Sequence, residues 1–164
     1  MNLPEIENPC DLRIRVVEAA HIADLMRIAE ETNLSHWSAQ NYLEEIKNAD
    51  AIMLRLVSED SSTIGFVVGR FVIGGEIEAV VDAEIYNIAV TNHVQQKGFG
   101  QLLFNAFTAV CRKKKAVNIW LEVRESNEKA IAFYEKNGFA RVQTRPSFYD
   151  NPREHALLMK LVLK

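Results

Sequence analysis

Apolar positions recur at two periods along the chain and divide it into short strands and helices. Leu12-Arg13-Ile14-Arg15-Val16-Val17 alternates and predicts a strand. From Ala19 to about Glu31, Ile22, Leu25, Met26 and Ala29 fall at helical spacing. Ser38 is placed to cap a second helix carrying Tyr42, Leu43 and Ile46. Residues 51–58 and 63–73 read as strands of a hairpin, joined by the polar link Glu59-Asp60-Ser61-Ser62. Gly74-Gly75 turns the chain into a long strand from about Glu78 to Val90. A helix follows Gly98, with Phe99, Leu102, Leu103, Ala106, Phe107 and Val110 on one face. Val117, Ile119, Leu121 and Val123 alternate with polar or amphipathic residues and predict a strand. Ser126 or Asn127 caps the last helix, which stops at Asn137-Gly138 with glycine in the usual exit position. Residues 139–144 and 155–163 close the pattern as two strands around a proline-containing loop.

The order is β, two helices, three strands, then helix, strand, helix and two strands, a mixed α/β domain with one central sheet. No repeat, low-complexity segment or flexible linker divides it, so residues 12–164 are expected as one domain behind a loose tail, 1–11. The 164 residues suffice for one sizeable core, and 48% hydrophobic with 25% charged residues is ordinary for a soluble protein. A net charge of −3 gives no global pull toward nucleic acid or anionic membrane, and apolar runs are too short to span a bilayer. The polar, proline-broken start does not read as a secretory signal. Two cysteines, Cys10 and Cys111, make no disulfide framework, so the cytoplasm is the expected compartment.

The most informative stretch runs from Tyr86 to Gly100. A strand-like run ends at Val90, and the loop Gln95-Gln96-Lys97-Gly98-Phe99-Gly100 opens directly into a helix. Glycine permits close backbone approach, and the first helical N–H groups lack internal partners, so such a junction can cradle a phosphate. By itself a G-x-G is weak evidence, equally a tight turn. No Gly-x-x-x-x-Gly-Lys-Ser/Thr occurs, and Leu103 stands where a dinucleotide fingerprint needs a third glycine.

The loop resembles the Gln/Arg-x-x-Gly-x-Gly/Ala loop of GCN5-related N-acetyltransferases (GNAT). Trp120-Leu121-Glu122-Val123-Arg124, Ser126-Asn127 and the run from Ala130 to Phe139 resemble the second half of that family, especially its ribosomal-protein N-terminal alanine acetyltransferase branch. The likeness is strong from about Ala83 to Ala140 and extends weakly to Trp37-Ser38 and to Glu154–Met159. It implies a mixed sheet splayed between its fourth and fifth strands, flanked by about four helices, with acetyl-CoA entering the split.

The resemblance implies transfer of an acetyl group to an amine, with Glu122 as base and Tyr134 as acid toward the departing sulfur. From spacing alone, Glu122 is one polar member of a half-solvated strand face and Tyr134 a packed helix aromatic. If Glu122 lies near the sheet interior, burial would tune it toward neutrality. Ile88, Ala89 and Val90 would hold pantetheine and thioester through backbone groups, one amide polarising the carbonyl. Gln96, Lys97, Gly98, Phe99, Gly100 and Gln101 would cradle the pyrophosphate. Asn127 would bind the cofactor, cap the helix, or do both. Glu84 is the alternative base, although an ordinary strand polar residue is its simpler reading.

Family likeness makes a protein N-terminal α-amine the expected acceptor, as in a ribosomal protein starting with alanine. It would sit near Ser35-His36-Trp37 and the Arg145–Arg153 segment. A small-molecule amine, or a non-catalytic acyl-CoA-binding module, are the competing readings. Gln96 replaces a common arginine, Thr91-Asn92-His93-Val94 a more acidic turn, Phe148-Tyr149 a Tyr-Tyr pair, and Glu154-His155 a Glu-Asp pair. Arg112-Lys113-Lys114-Lys115 reads as solvated charge at a helix C-terminus rather than a nucleic-acid patch. The four scattered histidines lack metal-ligand spacing, so no metal is expected.

Overall fold

The computed structural model describes residues 12–34, 37–74 and 80–163. The expected tail, Gly75 of the predicted turn and the expected start of the next strand at about Glu78 lie outside the described residues. In chain order the elements are β1 (Arg13–Val16), α1 (Ile22–Glu31), α2 (Ala39–Lys47), β2 (Ala51–Val57), β3 (Thr63–Gly74) and β4 (Val80–Val90). Then come α3 (Phe99–Lys113), β5 (Asn118–Arg124), α4 (Glu128–Lys136), β6 (Ala140–Asp150) and β7 (Arg153–Val162).

The described strands form one sheet in the order β1-β2-β3-β4-β5-β7-β6. Every neighbouring pair is antiparallel except β4 and β5, which run parallel. Helices cover both faces. Leu25, Ile28 and Tyr42 of α1 and α2 pack with Phe66, Val68 and Ala89 on one side. Leu103 and Phe107 of α3 and Tyr134 of α4 pack with Ile119 and Met159 on the other. The alternation along β5 follows from this: Ile119, Leu121 and Val123 are buried, and the residues between them are half-exposed.

Local chemistry sets the helix ends. The Ser38 hydroxyl accepts from the Asn41 amide, and the Asn41 side chain accepts from the Ser38 amide, a reciprocal cap at the start of α2. Asn127 caps α4, and Gly138 at φ +90° lets the chain leave that helix. Two boundaries differ from the sequence pattern. Ala19–His21 is a 3-10 turn that precedes α1. The loop expected after Thr144 is strand as far as Asp150. Pro146 hides this extension, yet β6 is an edge strand and its register shifts between Arg145 and Tyr149, which is where a sheet tolerates proline.

The sheet opens between β4 and β5. Their pairing consists of Ala83 with Ile119, Glu84 with Trp120 and Ile85 with Leu121. Directly beyond, β4 bulges: Gly69 of β3 pairs with Ile85, and Val68 pairs with Asn87, so Tyr86 is the extra residue. A bulge bends its strand, and β4 parts from β5 at this point. Gly69 is required there, because a Cβ would stand 2.1 Å from the Glu84 carbonyl oxygen and 2.7 Å from the Phe107 ring. On the paired side of the split, the buried Asp82 carboxylate of β4 accepts from the Asn118 amide at 3.1 Å and side chain at 2.9 Å. It also accepts from the Trp120 indole at 2.8 Å.

Candidate active site

A cavity of about 330 Å³ occupies the mouth of the split. Glu84, Tyr86 and Asn87 of β4 and Trp120 and Glu122 of β5 line it, and Trp37, Arg145 and Tyr149 form part of its wall. Trp37 also borders a second concavity, lined by Asn41, Glu44, Glu45 and Arg70 on the α2 side. The Arg70 guanidinium is bound by both carboxylate oxygens of the buried Glu45 and lies 5.9 Å from the Tyr86 ring centre. Ser35 and His36, expected beside the acceptor, lie outside the described residues.

Glu122 is not fully buried. Its side chain is 24% exposed, and Arg145 of β6 donates a hydrogen bond to its carboxylate in an ion pair. In place of the apolar burial expected around Glu122 stand a cationic partner and a partly open cavity. Glu84 lines the same cavity, which keeps both carboxylates at the split.

Tyr134 lies on the α3/α4 face, where its ring packs 5.5 Å from those of Phe133 and Phe139. Burial holds its hydroxyl pKa well above the ordinary tyrosine value, and the nearby Tyr149 adds to the shift. Tyr149 is itself raised, by burial first and then by the charge of Glu122, while Arg124 opposes the shift. Tyr149 thus stands electrostatically between Glu122 and Tyr134. The Arg124 guanidinium stacks 4.1 Å from the Tyr149 ring centre, and Arg145 lies 4.5 Å from that of Phe148. Glu154 accepts from Arg124 at 3.2 Å and from the Ser126 amide at 2.5 Å, and the His155 ring accepts from the Ser147 amide at 3.0 Å. These bonds fix the end of the β6–β7 hairpin, whose Phe148 and Tyr149 line the cavity, against β5.

The loop after β4 presents its backbone. Gln96 has φ +61° and Gly98, the residue capping α3, has φ +84°. A Cβ built on Gly98 would meet nothing within 4 Å, so open space lies above the cap. The amides of Phe99, Gly100 and Gln101 open α3 and have no partner within it. Gln95, which the sequence did not single out, ties the loop down: its carboxamide donates to the Val90 carbonyl at 3.2 Å and to Asn92 at 3.0 Å. The Gln101 side chain donates to Asn105 at 2.9 Å and to Asn137 at 2.6 Å, joining α3 to the end of α4. Asn127 accepts from the Ala130 amide at 3.1 Å. Ile88, Ala89 and Val90 follow the bulge and pair only with β3. An anion on the loop and an extended chain along that unpaired edge both fit these groups.

Burial pushes the Cys111 thiol up to about 12, the mark of a packing residue. Among the described residues, no three His, Cys, Asp or Glu side chains converge as a metal site. Among them, too, no helix is long and apolar enough to cross a membrane.

Residues 22–139 match the acetyltransferase (GNAT) family. The chain belongs to that family. It is similar to a ribosomal protein bS18-alanine N-acetyltransferase of Haemophilus influenzae, with 33% identity over 92% of this chain and 98% of the relative. A protein of the same name from Salmonella typhimurium is 26% identical over 90% and 95% of the two chains. The crystal structure of the ribosomal-protein-S18-alanine N-acetyltransferase from Escherichia coli superposes with a TM-score of 0.81 at 25% identity, over 93% of this chain and 94% of that one. Arabidopsis thaliana NAA60 in complex with acetyl-CoA shares the fold, with a TM-score of 0.82 at 16% identity over 93% and 99%. This GNAT protein is therefore an acetyl-CoA-dependent N-acetyltransferase, and the split between β4 and β5 is the splay expected of its fold.

Proposed function

We propose that this acetyltransferase acts in the cytoplasm on the N-terminal α-amine of a protein, with alanine first, and that a ribosomal protein is its acceptor. The observation that carries the reading is the pair of concavities meeting at Trp37. One reaches Glu122 at the split; the other continues over α2, a longer track than a small amine needs. The relatives named for acetylating ribosomal-protein alanine support the same acceptor.

Acetyl-CoA, when bound, supplies an acyl group activated by a thioester. Gln96, Lys97, Gly98, Phe99, Gly100 and Gln101 hold its pyrophosphate, chiefly through amides; Asn127 contributes its carboxamide NH2, since its oxygen caps α4. The open edge of Ile88, Ala89 and Val90 accepts the pantetheine arm, and an amide there draws charge onto the carbonyl oxygen. Glu122 takes the proton that the attacking α-amine must lose. An α-amine has a pKa near 8, against roughly 10.4 for lysine, so a carboxylate with modest help is enough. The N–C bond forms, the C–S bond breaks, and the sulfur is met by the Tyr134 hydroxyl. Because burial makes Tyr134 hold its proton tightly, it serves as a fixed hydrogen-bond donor to the departing sulfur more than as a strong acid.

The test is direct. Purified protein with acetyl-CoA is assayed against peptides starting with alanine and a panel of polyamines, amino acids and lysine-bearing peptides. Turnover of the alanine peptides is expected. Turnover confined to small amines would overturn the acceptor assignment; coenzyme A binding with no turnover of any amine would favour a silent acyl-CoA module.

A further inference from the structure

Asn87 is a buried carboxamide in an unusual place. It is 5% exposed, yet it lines the cavity that holds Glu122 and Glu84. Its side-chain nitrogen is buried with no hydrogen-bond partner among the described residues. It follows the Tyr86 bulge immediately, so it stands at the first β4 position where the strand has left β5. Its β3 partner Val68 and its strand neighbour Ala89 belong to the apolar cluster under α1 and α2. Leucine would fill that position without an unpaired amide, and buried polar groups of this kind are rare unless something else completes them.

Resting on the N-terminal acceptor reading, we propose that Asn87 is a specificity-determining residue that donates a hydrogen bond to the first carbonyl oxygen of the acceptor peptide. In an N-terminal residue that carbonyl lies one carbon from the α-carbon bearing the amine. A group held by Asn87 at β4 therefore leaves the amine facing Glu122 across the split. A lysine side chain or a polyamine carries no carbonyl so close to its amine and cannot complete Asn87. The unpaired amide is then a device for selecting α-amines, since a site built to pair with a polar substrate group rejects analogues lacking it.

The experiment compares two acceptors: an alanine-starting peptide, and the same peptide with its first carbonyl replaced by a methylene. Both are assayed with wild type, Asn87→Ala and the near-isosteric Asn87→Leu. Losing one such hydrogen bond should reduce kcat/KM about 10- to 100-fold. We expect that loss for either variant on the normal peptide, and for wild type on the methylene peptide. The variants should lose no more on the methylene peptide, and KM for acetyl-CoA should stay constant. Asn87→Leu should melt at or above the wild-type temperature, which separates the role from a fold defect. Equal losses for the variants on both acceptors, or a weakened KM for acetyl-CoA, would overturn the role of Asn87. Wild-type activity on small amines alone would instead overturn the acceptor reading on which it rests.

Discussion

Glu122 on β5 and Arg145 on β6 form an ion pair across the register of β7, which lies between their strands. The pair does two things at once. It holds the carboxylate at the wall of the split, and it places a guanidinium in the wall of the same cavity. If Glu122 is the base proposed above, an incoming amine competes with Arg145 for the same oxygens.

Glu122→Gln keeps the size of the side chain and removes its capacity to accept a proton. General-base contributions are typically 10²- to 10⁴-fold, so kcat should fall about that much. The deficit should be largest below pH 8, where an α-amine is mostly protonated and most needs the base. Calorimetric titration with coenzyme A should show unchanged affinity. A loss of affinity would make Glu122 a structural residue of the split.

Tyr134→Phe should lower kcat about 10- to 100-fold with little change in KM for either substrate, as expected when one donor that acts only in the transition state is removed. The sign of its pH behaviour follows from burial. A tyrosine whose pKa is raised stays protonated to higher pH than an ordinary one. The wild-type rate should therefore show no fall with an apparent pKa at or below 10, and a pH–kcat profile checks this. A decline centred near 9 would assign the donor elsewhere.

Much of this architecture is legible in the sequence, because each element carries its own local signal. The alternation of Ile119, Leu121 and Val123, the Ser38 cap and the Gly138 exit need no tertiary information. The glycines of the loop that opens α3 are legible for the same reason. The bulge at Tyr86 leaves no mark, since a bulge is defined by what the partner strand does, and Gly69 lies well before Tyr86 in the chain. Asp82 is equally silent: its three bonds go to Asn118 and Trp120, and a lone acid in a strand reads as solvated. The β6 extension was hidden by Pro146, whose exclusion from strands holds for interior ones only. Gln95 and Gln96 are adjacent and chemically identical, so composition cannot tell which one ties the loop to Val90.

Two glycines should respond in opposite ways to added side chains. A Cβ at position 98 meets no protein atom within 4 Å, so the expected cost of Gly98→Val is chiefly that of the left-handed backbone, roughly 1–2 kcal/mol. It fills the space above the α3 cap, and acetyl-CoA binding should fall by more than 10-fold while the fold persists. Gly69→Ala drives its new carbon against the Glu84 carbonyl and the Phe107 ring. Backbone has to move, and overpacking of this kind costs about 1–3 kcal/mol or more. Thermal melts paired with coenzyme A titration should separate the two: lost binding at nearly intact stability for position 98, lost stability for position 69.

Asp82 anchors the closed end of the β4–β5 ladder, because its carboxylate ties β4 to Asn118 and Trp120 beside Ala83 with Ile119, the pair farthest from the split. Asp82→Ala leaves the Trp120 indole N–H, the Asn118 amide and the Asn118 carboxamide without their acceptor in a nearly dry position. Hydrogen bonds to a charged group contribute about 1.5–3 kcal/mol each, with strong overlap within one cluster, so a total loss of roughly 2–4 kcal/mol is expected. Asp82→Asn retains one acceptor oxygen and should fall between wild type and alanine. The second consequence is geometric. With β4 and β5 no longer tied, the opening should extend past Ile85 and Leu121, and coenzyme A should bind more weakly at temperatures where the variant is still folded. Urea denaturation gives the first quantity and titration calorimetry the second. Normal affinity in a destabilised Asp82→Ala would show that the Tyr86 bulge alone holds the strands apart at the right width.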